Sequence, residues 1–141
     1  GDVAQELGAQ LRFHTSLPKR LNEMAILMTA RFWDSQYEWY AHHKLALAAG
    51  LSPSIIEALS LNKRPASMQP DEEVVYDFAS ELLRTKHVGD AAFKASLDKF
   101  GERGTVDLTG VMGYYTFVSM MLNIDRYPLP DGDKPELKPL P

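Results

Sequence analysis

The sequence contains no cysteine among its 141 residues. This absence excludes a disulfide framework, a thiolate zinc site, an iron–sulfur cluster held by this chain and any thiol nucleophile. It is compatible with a reducing compartment. The acidic N-terminal segment also lacks the basic stretch and apolar run of a secretory signal, so we expect a cytoplasmic protein.

An excess of basic residues and a long apolar run are missing as well. The formal net charge of −4 gives the chain no overall attraction to nucleic acid or to anionic lipid. The longest nearly uncharged stretch, residues 108–124, contains glycine and polar residues and is shorter than the ~20 apolar residues of a membrane span. We therefore expect no nucleic-acid partner and no membrane partner.

The apolar residues, which with tyrosine make up 45% of the chain, recur mainly at helical spacing. No segment alternates strictly between apolar and polar residues, so no strand is predicted. The sequence predicts an all-α domain of about six helices over residues 1–125, followed by a Pro-rich tail, 126–141, that is either an extended arm or mobile. The predicted helix boundaries are a break at Asp34-Ser35, a stop at Gly50, a start at Ser52-Pro53, a start at Asp71-Glu72-Glu73 and a break over residues 101–104.

The residues with the clearest chemistry lie between Glu23 and His43. Glu38 and His42 are four positions apart, so they share one helix face and can form a general acid/base pair. Glu23 lies on the preceding helix and reaches the same place if the two helices fold back on each other. Spacing alone leaves open the alternative of an ordinary structural pair, and His43, off that face, is predicted to be a surface or interface residue.

Aromatic residues surround this pair in the sequence. Tyr37, Trp39 and Tyr40 are candidates for the apolar walls of a pocket, with core or subunit contacts as the alternative. The chain has no dinucleotide fingerprint, phosphate loop, nucleophile elbow or His-Glu-x-x-His motif. Two glutamates and one histidine are weak grounds for a metal site, so we expect neither a metal nor a cofactor.

Four segments together resemble the carboxymuconolactone decarboxylase family, which belongs to the alkylhydroperoxidase D-like superfamily. They are Leu-Asn-Glu-Met-Ala-Ile-Leu at 21–27, Ala-Arg-Phe at 30–32, Tyr-Glu-Trp-Tyr-Ala-His at 37–42 and Ala-Leu-Ala-Ala-Gly-Leu-Ser at 46–52. The resemblance is strongest over residues 18–60 and extends more loosely to about 125. It implies an alkylhydroperoxidase D-like helical domain over residues 1–125 that assembles into a homo-oligomer, a trimer or a hexamer.

The peroxidase branch of that superfamily uses Cys-x-x-Cys-x-x-x-His with an upstream glutamate. On this chain the glutamate matches Glu23, the two cysteines match Ser35 and Glu38, and the histidine matches His42. Peroxide reduction in that branch needs one thiolate to attack and a second thiol to resolve the product. Because both sulfur atoms are lost, thiol peroxidase activity is not expected here.

The decarboxylase branch, which uses acid/base side chains, is the better chemical match. It implies a cofactor-free lyase that acts on a small organic acid or lactone, as in aromatic catabolism. His42 is then the general acid/base, Glu38 orients it or shuttles a proton, and Glu23 is a second proton-transfer group. Substrate contacts are predicted for Arg31, as a carboxylate anchor with a solvent-exposed position as the alternative, and for Ser35 and Trp39. The alternative is a non-catalytic small-ligand binder or oligomeric scaffold on the same fold.

Overall fold

The computed structural model describes the backbone of residues 1–141 and every side chain except that of Asp131. Over these residues the chain is all-α, as predicted, and no strand is present. Within the described residues, no helix is both long enough and apolar enough to cross a bilayer. The helices are α1 (Asp2–Phe13), α2 (Lys19–Phe32), α3 (Gln36–Ala48), α4 (Pro53–Ser60), α5 (Pro70–Thr85) and α6 (Asp90–Asp125), followed by a short 3-10 turn, Pro130–Gly132.

Helix α2 is the central element of the fold. It packs against α3, α4, α5 and α6, and every residue from Leu21 to Arg31 is buried. A helix that is covered all round needs apolar residues on every face, which the run Met24-Ala25-Ile26-Leu27-Met28 supplies. The polar residues of α2 are buried with this run, so each of them needs a partner or a function.

A tight turn folds α3 back along α2. Asp34 adopts a left-handed conformation (φ 49°), and the amide of Ser35 donates to the carbonyl of Ala30 at 2.9 Å. Ser35 occupies the predicted N-cap position, but its side chain makes no capping hydrogen bond. The resulting antiparallel pair brings the middle of α3 beside the beginning of α2.

The other predicted helix boundaries are mostly confirmed. Gly50 follows α3 with φ 94°, and Ser52 and Pro53 are the N-cap and first residue of α4. The acidic run lies in the first turn of α5, where Glu72 completes a capping box with Gln69. Glu72 is buried and also pairs with Arg20 at 2.8 Å, which ties the start of α5 to α2.

The predicted break before the last helix is the boundary that differs. Instead of a separate segment over residues 101–104, the helix is interrupted at one residue, Gly101 (φ 71°, ψ −178°), and resumes at once. Glycine alone tolerates this conformation, so a single residue is enough to redirect the chain.

Replacing Gly101 by Ala is expected to destabilise the protein by about 1–3 kcal/mol, because a Cβ atom is strained at this backbone conformation. No other atom would obstruct that Cβ, so the backbone alone carries the cost. Chemical denaturation measures the change. Gly113→Ala is the matched control, since Gly113 is helical and equally open, and equal stability of both variants would contradict the expectation.

The Pro-rich tail forms an extended arm along α3. Leu137 is buried, and its amide and carbonyl both bond to the side-chain amide of Gln36, at 3.0 and 2.8 Å. Tyr40 donates to Asp133, and His43 contacts Glu136 at 2.6 Å. The tail thus covers the face of α3 that carries Tyr40 and His43.

Candidate active site

Glu23, Glu38 and His42 meet between α2 and α3. His42 donates from Nδ1 to Oε2 of Glu23 at 2.6 Å, and its Nε2 lies 3.1 Å from Oε2 of Glu38. All three residues are buried, with 3–6% of each exposed. The predicted fold-back of the two helices therefore gathers the three side chains into one cluster, the Glu–His–Glu triad.

The electrostatics of the triad favour a charged imidazole. Burial disfavours the imidazolium, but the contacts with Glu23 and Glu38 outweigh it, so the pKa of His42 lies above its ordinary value of 6.5. A proton on the ring lets each ring nitrogen donate to one carboxylate. The triad thus holds its proton between two carboxylates to a higher pH than a free imidazole does.

A cleft of about 410 Å³ opens onto one side of the triad. Glu38 and His42 line it, whereas Glu23 lies behind the imidazole and does not. The remaining lining comes from α1, α3 and α6: Gln5, Gly8, Ala9, Arg12, Phe13, Tyr37, Ala41, Leu45, Tyr114, Tyr115 and Val118. A ligand in the cleft would meet Glu38 and His42 directly and Glu23 only through the imidazole.

Tyr115 closes the cleft over the imidazole. Its ring packs edge to face against His42, with 4.9 Å between the ring centroids, and the residue is buried. Burial, with a smaller contribution from the two nearby glutamates, raises the pKa of Tyr115 above its usual range. The phenol therefore remains neutral and can donate a hydrogen bond at any physiological pH.

Helix α1 forms another wall of the cleft and contributes a cation to it. Gly8 faces the hydroxyl of Tyr114 so closely that a Cβ atom there would collide with it, so this glycine lets α1 approach α6. One turn later Arg12 lines the cleft with an exposed guanidinium. No carboxylate of the described side chains lies within 4.0 Å of Arg12, so it can bind an anionic group.

The three predicted substrate contacts lie elsewhere. Arg31 lines two cavities beside the tail and α5, and Ser35 is buried in the turn before α3 with its hydroxyl unpartnered among the described atoms. Trp39 is 2% exposed and faces a cavity shared with His43 and Glu136. Trp39 follows Glu38 by one position and faces another side of α3, Ser35 precedes the helix as its N-cap, and Arg31 belongs to α2. Of the expected aromatic walls, Tyr37 lines the cleft, and Trp39 and Tyr40 do not.

Sequence reasoning missed Arg12 and the role of Tyr115. Arg12 lies 26 positions before Glu38 on a helix whose docking depends on Gly8, and no local pattern reports that contact. Tyr115 was recognisable only as an aromatic residue in an apolar helix.

The donor set of the triad does not fit a shared metal ion. The two carboxylates approach opposite nitrogens of one imidazole ring, so their oxygens and a single ring nitrogen do not point to a common centre. Nor do the described residues contain another group of three histidine or acidic side chains arranged to hold one. The arrangement suits proton transfer along a hydrogen-bonded row.

Comparison with known proteins adds no identification. No family model matches the chain, and no curated protein aligns with it significantly.

Proposed function

We propose that the protein is a carboxymuconolactone decarboxylase-like lyase that transfers protons without a cofactor, acting on a small carboxylated lactone or related organic acid. The observation that carries this proposal is the buried imidazole between two carboxylates, only one of which reaches a cleft with a cation. Residues 18–60 add the family resemblance, and the lack of cysteine favours the decarboxylase branch over the peroxidase branch.

In this proposal the three residues have different tasks. Glu38 is the carboxyl group that meets the substrate, because it lines the cleft. His42 supplies and recovers the proton through Nε2, and Glu23 holds Nδ1 and thereby fixes the ring orientation. Glu23 is thus a positioning residue in this proposal, whereas the resemblance implied a second proton-transfer group there and left Glu38 either to orient the histidine or to shuttle a proton.

The proposed reaction balances with one proton. Arg12 pairs with a carboxylate of the substrate, and the bond between that carboxylate and its carbon breaks to release CO₂. The electron pair passes into the unsaturated lactone. The proton held on His42 passes from Nε2 to Glu38, and Glu38 delivers it to the carbon that becomes the carbanion centre. His42 then recovers a proton from water in the cleft, and the hydroxide that remains combines with the released CO₂ to give bicarbonate.

Self-association is a second part of the proposal, since the family resemblance implies a homo-oligomer. Helix α6 exposes large apolar side chains that contact between copies would cover: Phe93, Val106, Phe117, Met121 and Ile124.

A direct assay is the release of CO₂ from a carboxylated unsaturated γ-lactone. Arg12→Gln is expected to raise KM about tenfold or more with a smaller effect on kcat, since it removes a charge-assisted contact to the substrate. Arg126→Gln is the control, because Arg126 is a similarly exposed arginine outside the cleft. Absence of CO₂ release by the wild-type protein across carboxylated lactones would reject the lyase proposal and favour a non-catalytic binder.

A further inference from the structure

Arg31 carries a buried charge that the protein only partly compensates. The residue is 4% exposed, and Nη2 donates to the carbonyl of Lys138 at 2.9 Å. Nε and Nη1 are buried without a hydrogen-bond partner among the described atoms. The nearest carboxylate, Asp34, lies 3.6 Å from Nη2 and is 70% exposed, so it faces water more than it faces the guanidinium.

Arg31, whose Nε and Nη1 have no hydrogen-bond partner among the described atoms, borders a cavity of about 280 Å³ between α2, α4 and α5. Two more cations line the same cavity, Lys63 after α4 and Arg84 in the last turn of α5, and none of the lining residues is acidic. Neither Lys63 nor Arg84 has a carboxylate within 4.0 Å among the described side chains. Two cations without a carboxylate partner and a third that is only partly compensated are unexpected around one cavity in a chain of net charge −4.

The rest of the lining is suited to an organic molecule. Apolar side chains form most of it, and hydroxyl and amide groups add a few polar contacts: Met28, Phe32, Leu59 and Leu83, with Asn62, Tyr76 and Ser80. A buried charged group without a counter-ion costs several kcal/mol, and an anion that pairs with it recovers part of that cost. A concave, largely apolar wall with a few convergent polar groups is the usual form of a small-molecule site.

We propose that this cavity binds an organic carboxylate with an apolar body, such as an aromatic acid, through Arg31, Lys63 and Arg84. The cavity shares no lining residue with the cleft of the Glu–His–Glu triad. It is therefore a second ligand site, and its existence does not depend on the proposed lyase activity. The tail is linked to it, because Nη2 of Arg31 holds the carbonyl of Lys138.

Titration calorimetry with benzoate tests the site in the full chain. Wild-type protein is expected to bind benzoate saturably in the millimolar range or tighter, and Arg31→Met to weaken binding about tenfold or more. Arg84→Gln, at an exposed position that does not endanger folding, is expected to weaken it about three- to tenfold. Arg12→Gln changes an exposed residue that lines only the other cleft, so it should leave this binding unchanged.

Three further measurements separate the proposal from its competitors. Benzamide, which has the same ring without the charge, should bind at least tenfold more weakly than benzoate, and inorganic phosphate should bind more weakly because it lacks the apolar body. Benzoate should raise the melting temperature of the wild-type protein and not that of Arg31→Met. A melting temperature of ligand-free Arg31→Met well below that of the ligand-free wild type, with benzoate affinity retained, would instead assign Arg31 a purely structural role in holding the tail.

The proposal is overturned by any of four results. The first is the absence of saturable benzoate binding, and the second is binding that Arg12→Gln abolishes and Arg84→Gln retains. The third is equal affinity for benzoate and benzamide. The fourth is a lower melting temperature of Arg31→Met with its benzoate affinity unchanged. A negative result in the lyase assay would not affect these tests, because they measure ligand binding and stability and not turnover.

Discussion

Glu38→Gln is expected to lower the rate of CO₂ release by about 100- to 10,000-fold, the usual contribution of a positioned acid or base. The amide keeps the size of the side chain but cannot accept and return a proton. Glu38 lines the cleft, and its Oε2 lies 3.1 Å from Nε2 of His42, so this residue is the link between the substrate and the stored proton. Steady-state kinetics at saturating substrate measures the loss.

Two companion variants make the result specific. Glu38→Asp retains the carboxyl group one methylene further back, so it should recover part of the activity that Glu38→Gln loses. Glu73→Gln, at an exposed position on α5 far from the triad in sequence, should behave as wild type. Turnover by Glu38→Gln equal to that of the wild type would exclude Glu38 as the proton donor. Glu38 and His42 would then be an ordinary structural pair on α3 without a role in proton transfer.

The parts of the site that the sequence predicts are those set by local geometry. Glu38 and His42 face one another because they are four residues apart on a helix. Glu23 joins them because a short turn folds α3 against α2, and the turn signal at Asp34-Ser35 was readable. Two helices joined by a short turn can pack in few ways, so residue spacing and the turn signal are sufficient to predict that these three side chains meet.

The parts that the sequence did not predict depend on how distant elements dock. Arg12 reaches the cleft because Gly8 allows α1 to lie against Tyr114, a contact spanning more than 100 residues. Arg31 was expected to hold a substrate carboxylate because a guanidinium binds carboxylates bidentately. It lies eight residues after Glu23 on α2 and borders two other cavities, so the residue type was informative and its location was not.

The fold, too, is predictable where local sequence determines it and not where distant contacts do. Helix class and most boundaries follow from periodicity, glycine and proline. The tail was left open between an extended arm and a mobile segment because only its contacts decide this, through the burial of Leu137 and its two bonds with Gln36.

Glu23→Leu is expected to lower the free energy of unfolding by about 3–5 kcal/mol near pH 6, because it removes one partner of a buried charged pair. The leucine keeps the volume of the side chain, so little of this loss comes from a cavity. Glu23→Gln keeps a hydrogen-bond acceptor for Nδ1 of His42 and should cost less. Urea denaturation of the three proteins measures the order of stability.

The loss should also depend on pH with a definite sign. Because the pKa of His42 is raised on folding, the stabilisation by its carboxylate partners is complete below the unfolded value of about 6.5 and disappears as the pH rises through the folded value. The difference in unfolding free energy between the wild type and Glu23→Leu should therefore be largest near about pH 6 and should shrink as the pH rises through the folded pKa of His42. Glu73→Leu, which contacts no histidine, should show no such narrowing.

A double-mutant cycle with His42→Leu separates the pair from its surroundings. If Glu23 acts through the imidazolium, the double variant should lose less stability than the sum of the single losses, because the contact between Glu23 and His42 is lost in each single variant and is counted only once in the double variant. The imidazole signals in NMR spectra should show a lower pKa of His42 in Glu23→Leu than in the wild type. Additive losses together with an unchanged histidine titration would contradict the role of Glu23 as the group that holds the catalytic ring.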